Sequence, residues 1–315
     1  MKINTLFFIL FFVILQLFAC AQETEEGTSP LNNMGHQNSS AEEQSTNPEI
    51  NRIISIVNTV ESKNNFIDIL NPDSNVSLPF GVIKQIGGIR YTIAIDSMKF
   101  LPLGAYFSAY AAIDFPGTTK KLAFRGSNIK FNPKGVVGGE QAKLYLASDH
   151  LITINATVSL KLPGNGQNWV EWDCNGFKAI NLVGNFIFKK DKLLPDPSQT
   201  ADSVVTASFS IYTEDIHNFI TTVNVTPFKI KDLNDWSFNV TNAIVDMSEL
   251  SNSNSMIFPV GYQNPNLITP QMWTGFALQS LKIKLPREIS KAGTRTEINI
   301  HNLLIEIRVL QAHSS

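Results

Sequence analysis

The densest group of residues able to do chemistry is Trp169, Glu171, Trp172, Asp173 and Asn175. Two indoles beside carboxylate and amide groups suit a sugar platform. Ring faces stack on the apolar side of a pyranose, and the polar groups take its hydroxyls. On a strand, Trp169 and Glu171 face one side, and Val170 and Trp172 the other. The pattern equally fits a structural part in which one indole is core and the other caps the sheet edge, since tryptophan is highly buried on average. Tyr262 and Trp273 extend the aromatic set, close to Pro259, Pro265 and Pro270. The loop of residues 259–272 either binds a ligand over a rigid scaffold or covers a sheet edge. A third group, Asp246, Ser248 and Asn252, sets oxygen ligands close together, as a Ca²⁺ loop would. It lacks the EF-hand glycine and terminal Glu, so an Asn/Ser turn closed by its own side chains is the competing reading.

Motifs for common chemistries are missing. The chain has no His-Glu-x-x-His pair, no Gly-x-Ser-x-Gly elbow and no phosphate-binding glycine loop. Its histidines, His36, His150, His217, His301 and His313, are scattered. No catalytic residue is therefore assigned, and no cofactor is expected. A triad or a carboxylate pair built from distant residues leaves no local motif. A carbohydrate-active or other hydrolytic enzyme thus stays as the alternative to a non-enzymatic body.

The first residues carry an address. Lys2 precedes an apolar run from Leu6 to Phe18, interrupted only by Gln16. The run is shorter than the ~20 apolar residues a transmembrane helix needs, and it suits the core of a secretory signal. Leu17-Phe18-Ala19-Cys20 closes it. This resembles the lipobox of bacterial lipoproteins, with Phe18 in place of the usual small residue. The resemblance implies that the Cys20 thiol takes a diacylglycerol and that residues 1–19 are removed. Acyl chains contribute about 0.8 kcal/mol per buried CH₂, so two or three of them anchor a protein without a transmembrane helix. Ala21-Gln22-Glu23-Thr24-Glu25-Glu26 then resembles the acidic patch of surface-exported Bacteroidetes lipoproteins, although a solvated acidic linker would look the same. Residues 20–48 are polar, with almost no large apolar side chain. We expect a lipid-anchored, disordered tether with a reach on the order of tens of Å.

Charge and cysteine content bound the rest. Lys2 lies in the leader, and the tether holds five Glu with no Lys or Arg. The remaining 24 Lys and Arg against 22 Asp and Glu leave residues 49–315 at +2. A near-neutral body does not suit nucleic-acid binding. Cys20 and Cys174 are the two cysteines. With Cys20 acylated, Cys174 has no partner for a disulfide and reads as a small buried hydrophobe.

The elements that must position these residues follow from periodicity. Ile50, Ile53, Ile54, Val57 and Val60 recur at helical spacing after Pro48, which predicts a short amphipathic helix over 49–62. From Val76 onward the period is two. Residues 152–162 alternate most regularly and predict one strand, with Ile152, Ile154, Ala156, Val158, Leu160 and Leu162 inward. Strands are also predicted over 91–96, 105–114, 121–125, 142–147, 168–172, 177–189, 203–213, 221–231, 236–246, 276–285 and 296–309, divided by Pro/Gly/Asn turns. With no long helix between them, the predicted fold class is all-β: an antiparallel, β-sandwich-like or two-layer body with one short N-terminal helix. Two sub-domains would divide near 195–203, after Pro195-Asp196-Pro197.

Ile95-Asp96-Ser97, Asn128-Ile129-Lys130-Phe131, Glu171 to Phe177 and Asn242 to Ser248 resemble β-rich segments of very large Bacteroidetes surface proteins. That resemblance implies a surface role and no particular activity. The expectation is an outer-membrane lipoprotein, facing outward or into the periplasm. Its partners would be the membrane, through the lipid, and a glycan, an envelope component or another surface protein.

Overall fold

A computed structural model describes residues 47–65, 77–86, 89–101, 104–115, 120–132, 135–136, 142–173, 176–190, 193–215, 218–231, 233, 235–248, 250–258, 273–286 and 296–306. In chain order the elements are α1 (Pro48–Ser62), β1 (Phe80–Ile86), β2 (Ile89–Leu101), β3 (Gly104–Asp114), β4 (Lys121–Asn132), β5 (Gly135–Val136), β6 (Lys143–Leu146), β7 (His150–Thr153), β8 (Val158–Leu162), β9 (Trp169–Asp173), β10 (Gly176–Phe188), β11 (Leu193–Pro195), β12 (Val205–Thr213), β13 (Ile220–Val225), β14 (Phe228–Ile230), β15 (Ser237–Asp246), β16 (Gly275–Lys284) and β17 (Glu297–Glu306). The class is all-β with antiparallel pairing and one short N-terminal helix. The chain forms two compact units, residues 1–148 with 164–178, and residues 149–163 with 179–315. The division therefore does not fall near 195–203. That Pro-Asp-Pro stretch is a turn inside the second unit.

In the first unit, β1, β2, β3, β4, β6 and β9 pair in that order, each antiparallel to the next. Helix α1 lies over one face. Asn47 caps it, its side-chain oxygen accepting the N–H groups of Glu49 at 2.9 Å and Ile50 at 3.4 Å. The same side chain donates to Ser148 Oγ at 2.6 Å, which ties the helix start to the chain after β6. Ile50, Ile53, Val57 and Val60 are buried along one stripe. They meet a floor of small residues, Ala123 and Ala147 under the first half and Ala94 and Ala112 under the second. A Cβ on Gly81 would stand 3.0 Å from Val60 Cγ1 and 2.2 Å from the Ile93 carbonyl oxygen, so a side chain there would push the helix off. Glu61 pairs with Arg90 at 3.3 Å and accepts from Thr92 Oγ1 at 2.6 Å, and Glu49 pairs with Arg125 at the other end.

In the second unit, β7, β8, β10, β12, β13, β15, β16 and β17 pair in that order, again antiparallel throughout. Register aligns one apolar row from Ile152 through Leu160, Phe186 and Ala207 to Val225. A second row runs from Gly184 through Phe209, Val223 and Ala243 to Leu278. At the end of β15, the opposite face is covered by the following loop. Ile244, Ala277 and Trp273 form a cluster there with Ile220, Met256, Phe258 and Leu304 packed on it.

Two predicted strands are each broken in two. Residues 152–162 form a hairpin of β7 and β8, with Ile152 opposite Leu160. Asn155 causes the turn: its side-chain oxygen accepts the N–H groups of Thr157 at 2.8 Å and Val158 at 2.9 Å, an alternative to the sheet ladder. The alternation of apolar residues survives, but Ala156 is at the exposed tip. Residues 221–231 split into β13 and β14 at Thr226-Pro227, where proline has no N–H to donate. Conversely, β2 runs well past the predicted 91–96, and β1 was not expected.

Candidate functional site

Trp169, Glu171 and Trp172 sit on β9, the last strand of the first unit's antiparallel series, which pairs with β6. Register sets Lys143 opposite Glu171 and Tyr145 opposite Trp169, so these four side chains share one face. Lys143 Nζ stands 4.0 Å from the centroid of the Trp169 ring, a cation–π contact. All four residues are half-buried. A partly exposed indole, a phenol, an ammonium and a carboxylate therefore form one ladder.

The ladder differs from the predicted cluster in its membership. Trp172 points to the other face with Leu144 and Val170, and it is 8% exposed. It stacks on Tyr91 with ring centroids 5.3 Å apart, and burial raises the Tyr91 hydroxyl above the ordinary tyrosine range. Trp172 thus offers no ring face to a ligand and belongs to the core. The backbone of Asp173 ends β9; its side chain, and Cys174 and Asn175, lie outside the described residues, as do Cys20 and Tyr262. Lys143 and Tyr145, which the cross-strand register adds, carry no local signal. They lie 26 and 24 residues before Trp169.

Trp273 is likewise core. It is fully buried just before β16, with Phe258 edge-on at 6.2 Å. Gly275 serves this packing: a Cβ there would meet the indole at 2.8 Å and the Ile305 carbonyl oxygen at 2.2 Å. The expected binding loop, residues 259–272, lies outside the described residues.

Asp246 and Ser248 turn their side-chain oxygens onto the backbone of their own loop. Asp246 is fully buried, and its carboxylate accepts the backbone N–H groups of Ser248 at 3.0 Å and Ser253 at 3.3 Å. Ser248 Oγ accepts those of Leu250 and Ser251, both at 3.2 Å. The loop's oxygens are thus directed onto its own N–H groups. Asn252 makes no side-chain hydrogen bond among the described residues. Burial pushes the Asp246 carboxyl up to about 6, and the two N–H bonds only partly oppose it. No cluster of three His, Cys, Asp or Glu side chains suited to a metal occurs among the described residues.

A second buried carboxylate behaves in the opposite way. Asp196 follows β11 and is fully buried. It accepts from Ser198 N–H at 3.1 Å, Ser198 Oγ at 2.8 Å, Gln199 Nε2 at 2.7 Å and Ser237 Oγ. Burial by itself would raise this carboxyl, but the bonds from Ser237, Gln199 and Ser198 outweigh it and hold it well below the usual carboxylate range. Gln199 also donates to Ser237 Oγ at 2.8 Å and accepts from Asn239 Nδ2 at 3.0 Å. This network ties the turn after β11 to the start of β15. Every polar group in it bonds another protein group, which marks it as structural.

The chain matches no protein-family model, no curated protein and no solved structure. The ladder on β6 and β9 is therefore weighed on its own geometry. It brings an indole, an ammonium, a phenol and a carboxylate onto one sheet face.

Proposed function

We propose that this chain is a lipid-anchored protein of the bacterial outer membrane whose β-rich body is a non-enzymatic binding or structural module for a surface glycan. The lipobox-like Leu17 to Cys20 supports the anchor, and the polar stretch behind it supports a long link between anchor and body. The single observation that carries the binding reading is the Trp169 ladder. It joins a stacking surface to a cation, an anion and a phenol on two paired strands. Lys143 lies over one face of the indole, so a sugar carrying a carboxylate meets the ammonium beside the ring.

A glycan array spanning neutral and acidic bacterial polysaccharides tests this reading. The wild-type chain is expected to bind acidic sugars, and Trp169→Ala to weaken that binding about tenfold, or ~1.4 kcal/mol. Trp172→Phe, which alters only the core, leaves affinity unchanged in the folded protein. No binding to any glycan, or equal binding by Trp169→Ala, removes the ladder as a sugar site.

A further inference from the structure

The outer end of β2 carries two exposed apolar side chains. Phe100 is 76% exposed and Leu101 56%. Immediately behind them, backbone register aligns Lys99, Tyr106 and Lys130 in one row across β2, β3 and β4. Directly opposed residues share a sheet face, so one face carries Leu101 at the tip and the Lys-Tyr-Lys row behind it. The other face carries Phe100 at the tip with Met98, Phe107 and Ile129 aligned behind. Among the described residues, neither Lys99 nor Lys130 forms an ion pair.

Both ladders are bulged at the same level. The β2–β3 register shifts between Ile95 and Ser97, and the β3–β4 register between Phe107 and Ala109. Asn128 takes a left-handed φ of 57° at the second shift. Bulges bend strands and increase twist, which sets the outer part of the three strands apart from the part under α1.

We infer that the outer end of β2, with the Lys99-Tyr106-Lys130 row behind it, docks into a lipid bilayer surface bearing anionic headgroups. The order of residues along the hairpin matches the order of a bilayer interface. Large apolar side chains come first, then a tyrosine flanked by two lysines at one depth. Aromatic rings with a polar end sit at the headgroup level, and lysine stems reach along apolar surface while their ammonium groups meet lipid phosphate. A protein partner would not require the basic and aromatic residues to form one row parallel to the tip. This contact is separate from acylation at Cys20, and it would hold the body against a membrane whether or not the lipid reading is right.

The test uses unacylated chain 21–315, which keeps every described residue, and cosedimentation with phosphatidylcholine vesicles with and without phosphatidylglycerol. The wild-type chain is expected to sediment with the anionic vesicles, less so as salt rises. The double variant Phe100→Ser with Leu101→Ser lowers partition at least about tenfold, and Lys99→Glu with Lys130→Glu abolishes the preference for anionic lipid. A Phe100→Trp variant gives a blue-shifted difference emission against wild type when vesicles are added. Absence of sedimentation with either vesicle overturns the inference, as does undiminished binding by the serine variant. Binding with an unshifted Phe100→Trp spectrum places the contact elsewhere and also overturns it. Self-association lost in the serine variant, without vesicle binding, would make a second copy the occupant and refute the membrane assignment.

Discussion

Asp196→Ala is expected to destabilise the second unit by about 3 kcal/mol or more, as the sum of lost charged hydrogen bonds and stranded buried donors. The substitution removes an acceptor used by four donors. Ser237 is fully buried, so its hydroxyl loses a charged partner where no water replaces it. Gln199 keeps its bonds to Ser237 and Asn239 but loses its anchor in the turn. Asp196→Asn preserves the shape and one acceptor, and should cost less, about 2 kcal/mol. Urea midpoints at unchanged slope measure both effects. Hydrogen exchange over residues 193–200 and 237–246 locates them, and loss of protection in both segments is expected in Asp196→Ala. A midpoint equal to wild type would show that the buried network contributes nothing.

The second large effect is a pH dependence centred on Asp246. Its folded carboxyl titrates near 6, above its ordinary 3.8. Well below about pH 4 it is protonated in both folded and unfolded chains and exerts no effect. As pH rises, the unfolded chain ionises first while the folded carboxyl holds its proton. Stability therefore falls through the window between those values and stays lower above it, by ~3 kcal/mol at 1.36 kcal/mol per unit. Asp196 works in the reverse sense. Its lowered folded value gives stability that is present above the ordinary carboxylate range and lost as pH falls below it. The Asp246→Asn profile isolates the first effect, because every other carboxylate is common to both chains. At pH 4.5 the variant should be the less stable, having exchanged an N–H acceptor for an amide near Ser253. At pH 7.5 it should equal or exceed wild type. Parallel profiles would contradict a raised Asp246.

Local chemistry was readable where neighbours in sequence do the work. Ile50, Ile53, Val57 and Val60 announce the helix because one element supplies the whole stripe. The antiparallel class follows from alternation without intervening helices. The bends were harder to see, because period two runs through a hairpin without a break. Ile152 and Leu160 face one way in a single strand and in two paired strands alike. Only Asn155, turning its side chain onto Thr157 and Val158, distinguishes the two, and its turn competes with a good strand pattern. The site was half legible. Alternation assigns Trp169 and Trp172 to opposite faces, but which face is core depends on Tyr91, far off in the chain. The same limit hid Asp196. Pro195-Asp196-Pro197 reads as a turn, and nothing near it names Ser237, 41 residues away, as the partner that buries it.

The proposed anchor supplies the frame for glycan and bilayer contacts alike, and it rests on one cysteine. The most direct measurement is metabolic labelling with an alkyne fatty acid, followed by membrane fractionation and protease shaving of intact cells, for wild type and Cys20→Ser. Wild type is expected to carry label, to fractionate with the outer membrane and to be cut by external protease, while Cys20→Ser carries no label and leaves that fraction. Unlabelled wild type, or a Cys20→Ser chain indistinguishable from it, would contradict the anchor. A labelled chain protected from protease would keep the anchor and move the body to the periplasmic face.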